Sequence, residues 1–281
     1  MTERYDAAHI SRFYDSYGER EWGRLAGNPR SRVNFHLHNY YLHQFVKAGD
    51  EVLEAGAGPG RFTLELAQIG ARVAVGDISP VQLELHRQKM AEAGCESCVV
   101  ARDVLDIVNL SQYADARFDA VVCYGGPLSY VFDRADEALA EMLRVTKPGG
   151  YVLLGVMSLA GSTQLFLEAV FDIARQSPET ADRVIATSDL DNDLASPNGH
   201  YCRMYRWSQL QALLQRHPCE IVAVSASNYL SMREDEVLAG AAADPALWEA
   251  FLRWEVDLCR EAGALDGGTH IISVVRKNTI A

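Results

Sequence analysis

Along residues 51–276 short apolar runs alternate with amphipathic stretches, whereas the first 48 residues carry only helical spacing. Phe13, Tyr14 and Tyr17 fall at turn spacing, and a second helix is expected over 32–46. Beyond this cap, strands are predicted at 51–55, 71–76, 97–102, 118–124, 149–157, 219–226 and 269–276. Strands that alternate with helical patterns build βαβ units and a mainly parallel sheet, so the fold class is α/β, doubly wound.

Punctuation between the runs supports the same division. Ser79-Pro80 caps and opens a helix that Gly94 closes, and Lys147-Pro148-Gly149-Gly150 stops another and turns the chain. Ser208 with Gln211 reads as a capping box for a helix ending near 215. Asp244-Pro245 starts a helix whose Leu247, Phe251, Trp254 and Leu258 share one face, a stripe expected to pack rather than bind. The regular alternation is broken at 158–205, which ends in the turn-rich 196–199, and again at 228–267. With no linker or repeat in view, the chain is expected to form a helical cap, 1–48, on one domain, 49–281, that carries these two insertions.

Composition narrows the function. Nearly half the 281 residues are apolar, and 26 basic against 38 acidic residues leave a formal charge of −12, which disfavours a nucleic-acid partner. The opening MTERYDAAHI has no basic region followed by an apolar stretch, and no apolar run reaches the roughly 18 residues of a membrane span. A cytoplasmic protein without membrane contact is expected, with its six cysteines as reduced thiols. Cys95 and Cys98 form a lone CxxC without a second pair at zinc-site spacing. His36, His38 and His43 do not make a metal site either, since only His36 and His43 share a helix face.

The chemistry concentrates where the first strand runs into Glu54-Ala55-Gly56-Ala57-Gly58-Pro59-Gly60-Arg61. A glycine-rich turn at the carboxyl end of a parallel strand lets backbone approach a ligand closely. A P-loop would need Gly-Lys-Ser/Thr, which is absent. A dinucleotide fingerprint would need glycine at position 61, where Arg61 stands, and an oxidoreductase of that kind would also want the missing Tyr-x-x-x-Lys pair. Asp77, about 20 residues further on at the tip of the second strand, is placed to accept two hydrogen bonds from ribose hydroxyls.

These residues resemble the class I S-adenosylmethionine (SAM)-dependent methyltransferases, whose ExGxGxG motif is matched by Glu54, Gly56, Gly58 and Gly60. The resemblance implies a seven-stranded sheet of order 3-2-1-4-5-7-6 with the last strand antiparallel, SAM as cofactor, and a glycine turn under its methionine portion. It further implies that Asp103 meets the adenine amine, or else the nearby Asp106, and that Ile78 and Val104 sandwich the ring. Cys123 and the following Tyr124-Gly125-Gly126-Pro127 would lie beneath the reacting centre, and this tetrapeptide departs from the Asn/Asp-Pro-Pro-Tyr/Phe of amide and exocyclic-nitrogen methylation. Leu143–Tyr151 matches the family's passage into strand five.

Substrate contacts are expected from the cap and the insertions, which leave the ligand edge of the sheet and would form a lid. Tyr14 and Tyr17 are placed over the sulfonium, where aromatic faces attract a cation and exclude water. His200 is the candidate general base, with Tyr201, Arg203 and Tyr205 beside it as substrate contacts. Arg32 is a candidate partner for the methionine carboxylate, and His270 reads as a core residue of the last strand. The expected reaction is O- or N-methylation of a small metabolite. An NAD-dependent oxidoreductase and a SAM-binding regulator without catalysis are the rival readings.

Overall fold

The apolar runs become the strands β1 (Glu51–Ala55), β2 (Arg72–Asp77), β3 (Val99–Val104), β4 (Phe118–Cys123) and β5 (Thr146–Met157). A two-stranded ribbon, β6 (Asp189–Leu190) with β7 (Cys202–Arg203), stands apart, and β8 (Cys219–Ala226) and β9 (His270–Lys277) complete the main sheet. The computed structural model describes residues 4–25, 27–190, 200–232 and 236–279. Its main sheet has seven strands in the order β3-β2-β1-β4-β5-β9-β8. Neighbours from β3 to β5 run parallel, and β9 is antiparallel to both β5 and β8, as the resemblance implied.

Helices cover both faces, so the central strands are apolar throughout rather than alternating. The two-residue period sends Leu53, Val121, Val152 and Leu154 into one core and Val52, Ala120, Val122 and Leu153 into the other. Each such fully buried Val or Leu contributes about 1.5–3 kcal/mol of burial free energy. The first core is closed by α6 (Ala135–Val145) and α10 (Trp207–Leu214), the second by α3 (Pro29–Phe45) and α4 (Arg61–Ile69).

The cap is α1 (Ala7–Tyr17), a short α2 (Arg20–Arg24) that the spacing does not reveal, and α3, which starts at Pro29 because Asn28 caps it through Ser31 N–H at 2.8 Å. Ser79 caps α5 (Pro80–Glu92) as expected, accepting from Gln82 N–H at 3.1 Å. Cys95 and Cys98 belong to the turn between α5 and β3, whose start moves to Val99 because residues 96–98 wind into a 3-10 turn. Strand β5 begins at Thr146, taking in the expected stop, because the ladder with β4 shifts register between Phe118 and Ala120 and accommodates Pro148.

The capping box lies two residues earlier than Ser208/Gln211. Arg206 N–H is received by the Gln209 side chain at 2.9 Å, because Trp207 N–H is already held by Asp266 at 2.6 Å. The insertion 158–205 contains α7 (Leu159–Leu165), α8 (Leu167–Gln176), α9 (Pro178–Thr187) and the ribbon, and its 196–199 turn lies outside the described residues. The insertion 228–267 contains α11 (Glu236–Ala243) and α12 (Pro245–Leu258). Of the stripe on α12, Phe251 packs on the second core and stacks on Trp248, whereas Leu247, Trp254 and Leu258 are exposed, at 43%, 51% and 38%. The helix also packs through Trp248, Glu255 and Val256. Among the described residues no helix is long and apolar enough to cross a membrane.

Candidate cofactor and acceptor site

The turn after β1 is set by conformations that only glycine adopts without strain. Gly56 has φ 81° and Gly60 φ 95°. A Cβ on Gly56 would sit 2.2 Å from Pro127 Cγ, and one on Gly60 2.8 Å from the ring of His86. Above the turn lies a narrow cavity of about 90 Å³, walled by Gly56, Gly58, Asp77, Ile78, Leu105, Asp106 and Ile107, while Gly60 packs on His86 outside it. Asp77 is nearly buried and accepts Gly58 N–H at 2.8 Å and Ser79 N–H at 2.9 Å, so backbone fixes both its oxygens while each keeps further lone pairs. Burial pushes its carboxyl up to about 6 against the pull of those two amides.

Several expected ligands sit elsewhere, each for a local reason. Glu54 points the same way as Val52, down onto α4 and α5, where it receives the Thr63 hydroxyl, and does not line the cavity. Thr63 in turn lies 2.8 Å from His86 Nε2. Asp103 and Val104 are on an edge strand: Asp103 accepts from Tyr113 O–H at 2.8 Å and Val104 is 60% exposed. Leu105, tied to the Asp77 carbonyl at 2.9 Å, takes the apolar wall opposite Ile78, and Asp106 is the carboxylate at the cavity. Cys123 faces the α6 side with Val121, buried in the core, and Tyr124 and Gly125 line the cavity in its place.

A second cavity of about 320 Å³ adjoins the first and shares Tyr14, Glu21, Arg24, Leu25, Gly125 and Tyr130 with it. Tyr17, Phe13, Met157 and Phe166 give it apolar walls, while Asn34, His200, Thr269 and His270 supply polar groups. Tyr14 donates to Tyr130 at 2.7 Å, and that hydroxyl lies 2.9 Å from His200 Nε2. Burial raises the pKa of both tyrosines.

Tyr201, Arg203 and Tyr205 are not in this wall. Tyr201 stacks on His9 with centroids 4.3 Å apart, and Tyr205 is buried in the α6 core. Arg203, on β7, neutralises the buried Asp189 through two bonds of 2.7 and 3.0 Å. Arg32 lies over Trp248 at 4.7 Å, away from both cavities. The guanidinium that reaches both is Arg24, whose pKa burial acts to lower but the Glu21 carboxylate, 2.8 Å from Nε, raises on balance. Spacing gave no hint of it, since α2 is a single turn. Among the described residues the insertion 228–267 lines neither cavity, so the first insertion alone reaches the site, with Ser162, Leu165, Phe166 and His200.

The arrangement fits SAM: a turn with no room for a Cβ at Gly56 or Gly60, an adjoining acidic group for a sugar, apolar walls for a flat base, and an arginine for a carboxylate. A family model described as a methyltransferase domain matches residues 52–150. The chain is 30% identical over 165 residues to a ubiquinone biosynthesis O-methyltransferase of Alkalilimnicola ehrlichii, covering 58% of this chain and 61% of that one. It is 31% identical over 116 residues to a malonyl-[acyl-carrier protein] O-methyltransferase of Serratia marcescens, 41% of each. The chain thus spans about half the length of the curated relatives it matches. In fold it is similar to the Burkholderia thailandensis 1,6-didemethyltoxoflavin-N1-methyltransferase, solved with its substrate and S-adenosylhomocysteine (SAH), with TM-score 0.56, 17% identity and coverage of 97% of this chain and 88% of that one. With the ExGxGxG turn and the sheet order in agreement, residues 52–150 match a methyltransferase domain, and in fold the chain is similar to SAM-dependent methyltransferases.

Proposed function

We propose that this protein transfers the methyl group of SAM to an oxygen or nitrogen of a small molecule held in the second cavity. The observation that carries this reading is the shared wall: Tyr14, Arg24, Gly125 and Tyr130 bound both the cofactor cavity and a separate space of about 320 Å³. That volume suits a metabolite rather than a polymer. SAM, when bound, supplies a methyl group already activated on a sulfonium. The protein's share is alignment, exclusion of water and removal of a proton.

In this reading Asp77 accepts the ribose hydroxyls, Ile78, Leu105 and Ile107 enclose adenine, and Asp106 receives its amine. Arg24 meets the methionine carboxylate, with Tyr14 and Tyr130 beside the reacting centre and Tyr17 against the acceptor. Titration calorimetry with SAH, and separately with NADH, tests it, followed by mass spectrometry for SAH formed from SAM in a metabolite extract. Tight SAH binding and extract-dependent SAH formation are expected. Tight NADH binding without SAH binding would overturn the reading, and SAH binding without turnover would leave a non-catalytic SAM binder.

A further inference from the structure

His270 stands at the first residue of β9, where its ring enters the acceptor cavity beside the glycines that follow β4. Its Nε2 lies 4.0 Å from where a Gly126 Cβ would be, and Gly125 belongs to the wall between the cavities. The ring's other nitrogen, Nδ1, is 3.2 Å from Thr269 Oγ1.

Two backbone amides orient the polar groups around Thr269. Thr269 N–H donates to Asn228 Oδ1 at 3.0 Å, which fixes that amide's oxygen toward Thr269, and the Thr269 hydroxyl then donates to the same oxygen at 3.1 Å. His270 N–H donates to Ser227 Oγ at 3.0 Å, and Ser227 passes its own proton to Asn228 Oδ1 at 3.0 Å. Asn34 Nδ2 donates to both hydroxyl oxygens, at 2.9 and 3.0 Å. Thr269 Oγ1 also lies 3.2 Å from Ser227 Oγ, and with its hydroxyl turned to Asn228 it is placed to accept from the imidazole. In that arrangement Nδ1 carries the hydrogen, which leaves Nε2 with a bare lone pair on a ring that lines the cavity. Among the described residues no hydrogen bond reaches that lone pair. At His200, by contrast, Nε2 already faces the Tyr130 hydroxyl.

We infer that His270, rather than His200, is the general base that takes the proton from the methyl acceptor, and that Asn34, Ser227, Asn228 and Thr269 are positioning residues that lock it in the Nδ1–H tautomer. This rests on the methyltransferase reading. The acceptor's O–H or N–H bond breaks and Nε2–H forms as the acceptor's lone pair bonds the methyl carbon. The methyl–sulfur pair stays on sulfur, so the positive charge leaves the sulfonium and one appears on the imidazole. The class of acceptor is thus a molecule that arrives protonated at its nucleophilic atom. Burial, with His38 on α3 and Arg24 on α2 as the facing groups, pushes the imidazole's pKa well below its usual range, so the ring rests neutral with a free lone pair before the acceptor arrives.

Three measurements on the full chain decide the matter. In 15N-histidine-labelled protein, assigned with His270→Asn, the two nitrogens of His270 are expected to report Nδ1–H and a bare Nε2 at pH 6 and pH 8 alike. A proton on Nε2, or a charged ring, would overturn the assignment. Thr269→Val is expected to raise the Nε2–H share several-fold while SAH affinity stays within threefold. An unchanged tautomer would remove the positioning role. Diethyl pyrocarbonate is expected to acylate His270 in the folded protein, and a His270 that stays unmodified while exposed His43 reacts would show that the lone pair is not offered to the cavity. In the extract assay His270→Asn is expected to form SAH at least 100-fold more slowly with SAH binding intact, and wild-type rates from it would sink the base. If the wild type forms no SAH, the methyltransferase reading fails, while the label and acylation results still decide the ring's state and access.

Discussion

Arg61 lays its guanidinium 3.7 Å above the indole of Trp22 and donates Nε–H to that residue's carbonyl at 2.9 Å. The arginine that breaks the dinucleotide fingerprint thus holds α2 down over the glycine turn. Gln82 adds two bonds from α5 to the carbonyls of Tyr14 and Gly18, at 3.0 and 3.1 Å. The cofactor cavity lies beneath, with Glu21, Arg24 and Leu25 of this segment in its wall.

Trp22→Ala should therefore weaken SAH binding while leaving the sheet intact. A cation–π contact of this kind is worth about 0.5–2 kcal/mol, an affinity loss of roughly 2- to 30-fold. Calorimetry checks it, and stopped-flow binding should show the loss as faster release. An unchanged dissociation rate would mean that the cap is not what retains the cofactor.

Asp77 predicts a pH dependence of opposite sign for binding and for stability. Only the carboxylate offers all its lone pairs to a ribose, so SAH affinity should fall as pH drops through about 6, by up to about tenfold per unit. The apo fold responds the other way, because a carboxyl that is raised in the native state binds its proton more readily there than when unfolded. Its contribution to stability is present at low pH and is lost as pH rises through about 6. Calorimetric titrations at pH 5, 6 and 7.5 in one buffer series test the first part. A flat profile would separate Asp77 from the ligand.

The fold was legible because burial on both faces of a parallel sheet leaves an unmistakable run of Val, Leu and Ala, and because the caps at Ser79 and Gly94 are local. The turn from Gly56 to Gly60 and Asp77 was legible for the same reason, since backbone conformation and strand tip are written in adjacent residues. What escaped depended on tertiary placement. Between Asp103 and Asp106 spacing could not choose, because the bend that carries Asp106 to the cavity comes after an edge strand. Arg24 sits on a helix of one turn with no period to detect. Tyr201 and Tyr205 looked like cavity residues beside His200, yet large aromatic rings near a core are drawn into it, and Arg203 was claimed by the buried Asp189. His270 looked like core because a strand residue at a sheet's end shows no sequence mark of opening onto a cavity.

Glu54 is fully buried against Thr63 and His86, and burial raises its carboxyl to about 8. Between its unfolded value near 4.5 and that folded value, the unfolded chain ionises and the native one does not. Native stability is then lost steadily as pH climbs through this window, by up to about 1.4 kcal/mol per unit. Glu54→Gln keeps an oxygen for the Thr63 hydroxyl and removes the titration. The variant's melting temperature should gain on the wild type from pH 5 to pH 8 and run parallel to it above. A constant gap across the range would show that Glu54 is ionised in the native protein throughout.

Gly56 and Gly58 separate backbone strain from steric exclusion. Both have positive φ, 81° and 54°, so an alanine at either position costs about 1–2 kcal/mol for the left-handed conformation. At Gly58 a Cβ meets nothing nearer than Glu21 Cγ at 3.5 Å, an ordinary contact. At Gly56 it would overlap Pro127 Cγ at 2.2 Å, and a proline ring in a tight turn cannot swing away, which adds about 1–3 kcal/mol. Gly56→Ala should accordingly melt several degrees below Gly58→Ala. It should also push Pro127, and with it Gly125 in the wall between the two cavities, out of place. Loss of SAH binding should then be far larger in Gly56→Ala than in Gly58→Ala, although both glycines line the same cavity. Equal losses would mean that the turn acts on the cofactor through its conformation alone and that its packing against Pro127 is incidental.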